Sequence, residues 1–311
     1  MARDLDVVCF GEALVDLLPD RRGRLRDCER FEVHSGGAPA NVAVGLARLG
    51  RRVAFRGVLG DDELGYLLLR KLEHEGIECR FRLITEARTG VWFVALDERG
   101  DRTFFTPTGA GSADKFLTAA DVDPALWRRA RWLHCGSSSH VRPEGQAALK
   151  AAVRAAREAG VRVSFDPNVR AHLWSDLREL RALCDDVLPF CDVVKLAEDE
   201  TAACLGVSTP EAATDHLAAL GVELACITLG ARGALARQGA HQWRVLAPQV
   251  EVVDTTGAGD GFVAGLLSRL AREESIEAMP REGLEDALRF ACEIGSRVCT
   301  RLGAVAGLPT A

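Results

Sequence analysis

Short apolar runs rich in Val, Ile and Leu alternate with stretches of helical spacing along most of the chain. Residues 7–10, 53–58, 132–135, 161–165, 193–196 and 224–229 read as buried strands. Residues 40–49, ending at Gly50, and 63–74, closed by Gly76, read as helices. Further helices fill the gaps between the last four strands, over 143–159, 176–188 and 210–220. This alternation predicts an α/β fold with a mainly parallel sheet covered on both faces.

Two regions depart from the pattern. Residues 13–33 carry polar–apolar alternation with charged turns, and 90–107 read as two strands, 91–96 and 102–106. Asp97-Glu98-Arg99-Gly100 between them is a hairpin signal. These pieces are expected to pair as a small sheet apart from the main one. Such a sheet serves as a lid over a site, as a dimerising surface, or as both.

The chain has 311 residues, 48% hydrophobic and 27% charged, with a formal charge of −6. That suits one elaborated α/β domain and gives no reason to expect nucleic-acid binding. Ten cysteines are scattered without a C-x-x-C pair, so no zinc site is expected. Several sit in apolar runs and read as small buried hydrophobes. The charged start Met1-Ala2-Arg3-Asp4 is unlike a secretory signal, and no apolar run approaches a membrane span. A reducing cytoplasm is the expected location.

The densest chemistry lies in Asp254-Thr255-Thr256-Gly257-Ala258-Gly259-Asp260-Gly261-Phe262. Phe262, Val263, Leu266, Leu267 and Leu270 follow at helical spacing, so the glycines sit where a loop becomes a helix. Unpaired N–H groups and the helix dipole, roughly half a positive charge, make that a place for an anion such as phosphate. Asp260 falls in the first turn, where a carboxylate can take a proton from a hydroxyl or merely complement the dipole. A second constellation, Ser35-Gly36-Gly37-Ala38-Pro39-Ala40-Asn41, precedes the first helix. Its glycines admit close backbone approach, and Asn41 offers both donor and acceptor. Asp16 follows the first strand, where ligands of open α/β sheets bind. The G-x-G-x-x-G fingerprint fails at Phe262, and Gly-Lys-Ser/Thr is absent, so ATP would be handled without a Walker lysine.

Residues Gly36 to Gly50 and Asp254 to Phe262 resemble the two signatures of the ribokinase family of carbohydrate kinases, also called the phosphofructokinase-B family. The resemblance runs from Phe10-Gly11-Glu12 to Thr300-Arg301-Leu302-Gly303-Ala304. It implies one ribokinase-like domain over 1–311: a three-layer α/β/α sandwich with a small β-sheet lid drawn from about 13–33 and 90–107. Asp260 resembles the catalytic base, and the amides of Gly257, Ala258 and Gly259 the anion hole. Asp16, Gly36, Gly37 and Asn41 resemble sugar contacts. Thr228, Gly230 and Gly233, with Gly257 and Gly259, resemble the nucleotide site. Asp254 and Thr256 resemble a monovalent-cation site for potassium, and Glu200 the acid of an Asn-x-x-Glu motif that organises magnesium. The Asn of that motif stands as Ala197, and Cys292 replaces an adenine-side Asn.

Phe10-Gly11-Glu12-Ala13-Leu14-Val15-Asp16 and Asp166-Pro167-Asn168-Val169-Arg170 are similar to fructokinases. Arg170 either reaches the phosphate or a sugar hydroxyl, or is a surface residue after a strand. The resemblance thus implies phosphorylation of a ketohexose, D-fructose first, by ATP with magnesium, in a homodimer joined through the lid. The alternatives are an aminoimidazole riboside, 2-keto-3-deoxygluconate, ribose or another nucleoside, and a catalytically silent sugar sensor. Trp92, Phe104 and Phe105 on the lid are expected to shape the pocket.

Overall fold

The computed structural model describes residues 3–21, 23–96 and 102–309. In chain order the strands are β1 (Leu5–Phe10), β2 (Leu14–Pro19), β3 (Phe31–Gly36), β4 (Val53–Gly60), β5 (Glu78–Ile84), β6 (Val91–Leu96), β7 (Arg102–Phe105), β8 (Ala130–Cys135), β9 (Arg162–Phe165), β10 (Val193–Ala197), β11 (Leu224–Thr228), β12 (Ala234–Gln238) and β13 (His241–Val245). The helices are α1 (Ala38–Arg48), α2 (Glu63–His74), α3 (Pro124–Arg128), α4 (Pro143–Glu158), α5 (Leu177–Val187), α6 (Thr201–Leu205), α7 (Pro210–Ala219), α8 (Ala258–Leu270) and α9 (Arg281–Val298).

One sheet has the order β13-β12-β11-β10-β9-β8-β1-β4-β5. It is parallel from β11 to β5 and ends in an antiparallel pair, β12 and β13. Strand β1 shows why three layers form. Its alternate side chains point to opposite faces. Val8 and Phe10 pack with Leu149 and Val153 of α4, whereas Val7 and Cys9 pack with Val42 of α1 and Leu267 of α8. Both faces are thus dry, as a parallel sheet requires. The second sheet, β3-β2-β6-β7, stands apart from the first.

The predicted strands and helices are all present, with ends shifted by at most two residues. The predicted turn over 97–100 lies outside the described residues. Two features depart from expectation. Strand β5 is an edge strand whose Arg80 and Arg82 alternate with Phe81 and Leu83, and the β12–β13 hairpin extends the far edge. The small sheet also reaches past residue 33, because β3 pairs with β2 as far as Gly36. Among the described residues no helix is long and apolar enough to cross a membrane.

Strand order reverses at β1, with β4 on one side and β8 on the other. A crevice for ligands forms at such a point, beyond the carboxyl ends of the strands. The β4–β5 side is tied to the segment that follows the small sheet by Asp121, which is 1% exposed. Its carboxylate accepts hydrogen bonds from Arg56 at 3.0 Å, from Arg82 at 2.8 Å to each oxygen, and from the Thr118 amide at 2.9 Å. Removing one partner of a buried ion pair leaves the others uncompensated. Asp121→Ala should therefore lower unfolding stability by about 3 kcal/mol in urea titration. A loss under about 1 kcal/mol, the surface-pair range, would contradict this account.

Candidate active site

Two helix N-termini, brought together by the fold, build the centre of the site. Helix α1 starts after Gly37, and α8 starts after Gly257. Gly257 has φ +78°, and a Cβ there would lie 2.7 Å from Ala304, so only glycine suits this cap. Asn41 of α1 donates from Nδ2 to Asp260 Oδ2 of α8 at 2.8 Å. Asn168, after β9, adds a weaker contact from Nδ2 to Oδ1 at 3.4 Å. Asn168 itself has φ +46°, and its Oδ1 accepts from Arg170 at 2.7 Å. Burial raises the Asp260 carboxyl to about 6, against the opposing pull of the Asn41 hydrogen bond. A carboxyl group with that value has the acidity suited to proton transfer near neutral pH.

The glycine loop forms the neighbouring wall. Among the described residues the amides of Gly257 and Gly259 have no main-chain acceptor, whereas the Ala258 amide donates to Thr255 O at 3.3 Å. The anion hole expected from all three amides is thus open at two of them. Lys195 of β10 also reaches the loop: a Cβ on Gly259 would lie 2.8 Å from its Nζ. Lys195 pairs with Asp166 at 3.0 Å, both being almost fully buried. Burial alone would favour the neutral amine, but Asp166 and Glu200 outweigh it and keep the ammonium charged. Glu200 accepts from the Val169 amide at 2.6 Å and the Ala197 amide at 2.7 Å, clamping the loops after β9 and β10.

Three cavities run in sequence past this centre. One is lined by Asp16, Gly37, Asn41, Trp92, Phe104 and Asp260, among others. It shares Asp260, Gly257, Asn168 and Arg170 with a cleft of about 710 Å³ that holds Lys195, Glu200 and the glycine loop. That size falls within the range of small-molecule sites. The cleft in turn shares Thr228, Gly230 and Gly259 with a mainly apolar cavity lined by Gly233, Val250, Phe262 and Cys292. Asp260 therefore stands where the first two cavities meet.

Most expected site residues are thus gathered. Gly36 is an exception in kind. It faces the Asp16 carboxylate, which leaves no room for a Cβ, so it seats Asp16 and does not line the cavity. Burial raises Asp16 to about 7, with Arg170 opposing. Phe104 of β7 lies 6.0 Å from Trp92, and Arg170 lies 5.9 Å from the Phe104 ring. Asp254 accepts from Thr256 N at 2.9 Å, Thr256 Oγ1 at 2.7 Å and Gly303 N at 2.9 Å, pinning the loop to the C-terminal segment. Among the described residues no cluster of three His, Cys, Asp or Glu could cage a metal. A divalent ion carried on nucleotide phosphates, with Glu200 acting through water, fits this donor set.

Sequence reasoning missed Lys195, Asp166 and Asn168 as site residues. The signal for the first was present: a lysine inside an otherwise apolar buried strand needs a partner. The partner, Asp166, immediately follows the strand next door.

A glycine loop at a helix N-terminus, a buried carboxyl beside it, and contiguous cavities on either side suit a phosphotransferase acting on an alcohol. The family of pfkB carbohydrate kinases matches residues 4–311, and the chain belongs to it. It is 39% identical to fructokinase-2 of Zea mays over 307 residues, 98% of this chain and 91% of the relative. Its structure resembles a fructokinase double mutant of Vibrio cholerae O395 in fructose-, ADP- and potassium-bound form, with TM-score 0.89 and 34% identity over 99% and 97% of the two chains. It also resembles aminoimidazole riboside kinase of Salmonella enterica complexed with its riboside and an ATP analogue, with TM-score 0.83 and 32% identity over 98% and 97%. The architecture is therefore the ribokinase-like sandwich, and the chain is a carbohydrate kinase of the pfkB family.

The raised carboxyl of Asp260 has a thermodynamic consequence. The folded chain binds this proton more tightly than the unfolded chain, so stability falls as pH rises through about 6. In Asp260→Asn that contribution is gone. The Tm difference between variant and wild type should move in the variant's favour from about pH 5 to about pH 7.5. A difference independent of pH would show that Asp260 does not titrate there.

Proposed function

We propose that this kinase transfers the γ-phosphoryl group of ATP to the primary hydroxyl of a ketohexose, converting D-fructose to fructose 6-phosphate. The observation that carries the reading is the position of Asp260, at the junction of the polar cavity and the cleft of the glycine loop. The fructokinase relatives support the choice of sugar. Asp260 accepts the proton of the C6 hydroxyl as O6 bonds to the γ-phosphorus. The bond from that phosphorus to the β–γ bridging oxygen breaks, and ADP leaves with the electron pair. Asp260 is a weak base for an alcohol, so its proton moves late, once the hydroxyl oxygen has lost charge to phosphorus.

The amides of Gly257 and Gly259 and the ammonium of Lys195 face the charge that spreads over the phosphoryl oxygens. Fixed donors of this kind each contribute about 3 kcal/mol to the transition state, by analogy with oxyanion holes. Asp16, Gly37, Asn41 and Phe104 hold the sugar. Thr228, Gly230 and Gly233 hold the nucleotide. Magnesium bound to ATP supplies further charge neutralisation, with Glu200 nearby. Asp254 and Thr256 order the loop and would hold a monovalent cation; the Vibrio fructokinase structure contains potassium. The small sheet serves as the lid of a single domain in the cytoplasm. Its exposed Val33 and Phe105 offer an apolar face to a second copy. Sedimentation should accordingly give a dimer, and a monomer at micromolar concentration would remove this part of the reading.

Fructose and ATP in a coupled ADP assay test the main claim, with aminoimidazole riboside and 2-keto-3-deoxygluconate as competitors. Asp260→Ala should lose about 10²–10⁴ in kcat. Wild-type kcat should fall as pH drops through about 6, because only the ionised carboxylate accepts a proton. Near-normal turnover in the variant would remove Asp260 from its role, and preference for a competitor would replace fructose.

A further inference from the structure

The cavity that meets Asp260 has a second polar end which the transfer chemistry does not use. Glu12, in the loop after β1, is 2% exposed, and its Oε2 has no hydrogen-bond partner among the described residues. Lys115, in the turn Ala113–Phe116 that follows the small sheet, is 1% exposed. Of its three donors, one goes to Asp114 Oδ2 at 2.6 Å, the only acceptor it has among the described residues. Both side chains line the cavity. A buried acceptor and a buried donor left incomplete are costly unless a ligand completes them.

The two groups are held by different elements. The charged groups that act on Glu12 are Lys115 and Asp114, with Ser139 as hydrogen-bond donor. Asp260, at the start of α8, is held by Asn41 and Asn168, whereas Lys115 is held by Asp114. Among the described residues no hydrogen bond joins the two groups, so a ligand touching both spans the cavity they share. Lys115 is already neutralised by Asp114. Burial raises the Glu12 carboxyl above its ordinary value, against the opposing pull of Lys115. An unpartnered carboxyl oxygen at this end therefore suits a neutral hydroxyl better than the carboxylate of a sugar acid.

We propose that Glu12 and Lys115 are specificity-determining residues that bind the hydroxyls at the C1–C2 end of a neutral ketose, while its C6 hydroxyl meets Asp260. This rests on the fructose reading above. Glu12 Oε2 accepts from one hydroxyl, and Lys115 Nζ donates to the oxygen of its neighbour. Because Lys115 belongs to the connection leaving the small sheet, sugar at this end also bridges that sheet to the strand ends.

The test compares D-fructose with 1-deoxy-D-fructose, which lacks the C1 hydroxyl, in wild type and in Glu12→Gln. Wild type should favour fructose by about 10- to 100-fold in kcat/KM, as expected when a buried carboxyl oxygen loses its partner. In Glu12→Gln that preference should shrink several-fold, with the KM for ATP unchanged. Equal use of the two sugars by wild type, a measurement needing no variant, would overturn the proposal. So would a Glu12→Gln enzyme that folds, by its melting curve, and discriminates as wild type does. If wild type phosphorylates neither ketose, the fructose reading itself falls at the first step. If it phosphorylates fructose without regard to C1, the reading stands and this proposal alone fails.

Discussion

The hydrogen bond from Asn41 to Asp260 is the contact on which the site depends. It joins residues 219 apart in the chain and locks the N-termini of α1 and α8 to a common point. Each helix is anchored elsewhere by ordinary packing. Gly45 of α1 sits so close to Ala264 of α8 that a Cβ would lie 2.6 Å from it. That close approach brings the two helix ends near each other, and the Asn41 bond then sets the rotamer of the carboxylate. Asn41 Oδ1 stays buried without a partner among the described residues, and Asn41 lines the cavity. One amide thus orients the Asp260 carboxylate while its own oxygen keeps an open acceptor. Its geometry serves both roles only while the helices stay packed.

The same crowding explains the charge pattern. A carboxylate this buried would be protonated without compensation. Lys195 supplies part of that compensation from the neighbouring strand, and Asp166 keeps Lys195 charged in turn. A Walker loop brings its lysine on the phosphate loop itself. Here the cation comes from β10 and approaches the loop from the sheet side, through the space that Gly259 leaves open. The loop can then stay short, and its amides remain available to the phosphoryl group.

Much of this was legible in the chain, for reasons that can be named. Both glycine constellations are local, because a tight turn and a helix start need particular residues within a few positions. The parallel strands were legible because they are buried on both faces and read as unbroken apolar runs. Strand β5 was not, since an edge strand mixes Arg80 and Arg82 into the pattern. Lys195 was passed over because its meaning lies in Asp166 on the adjacent strand, and pairing between strands is a tertiary fact. Glu12 and Lys115 are hidden in the same way. Each is an unremarkable charged residue in sequence, and only their common cavity makes their missing partners visible.

The small sheet completes the constraint from outside. Phe104 on β7 touches Trp92 and meets the Arg170 guanidinium, while Trp92 also stacks edge-on with His172 at 5.2 Å. Arg170 donates to Asn168, and Asn168 reaches Asp260. A continuous chain of contacts therefore runs from the small sheet to Asp260. A shift of Phe104 would displace Arg170 and loosen the support on one carboxylate oxygen, while Asn41 held the other. The packing of the small sheet and the order of the Asp260 carboxylate are thus coupled through Arg170 and Asn168.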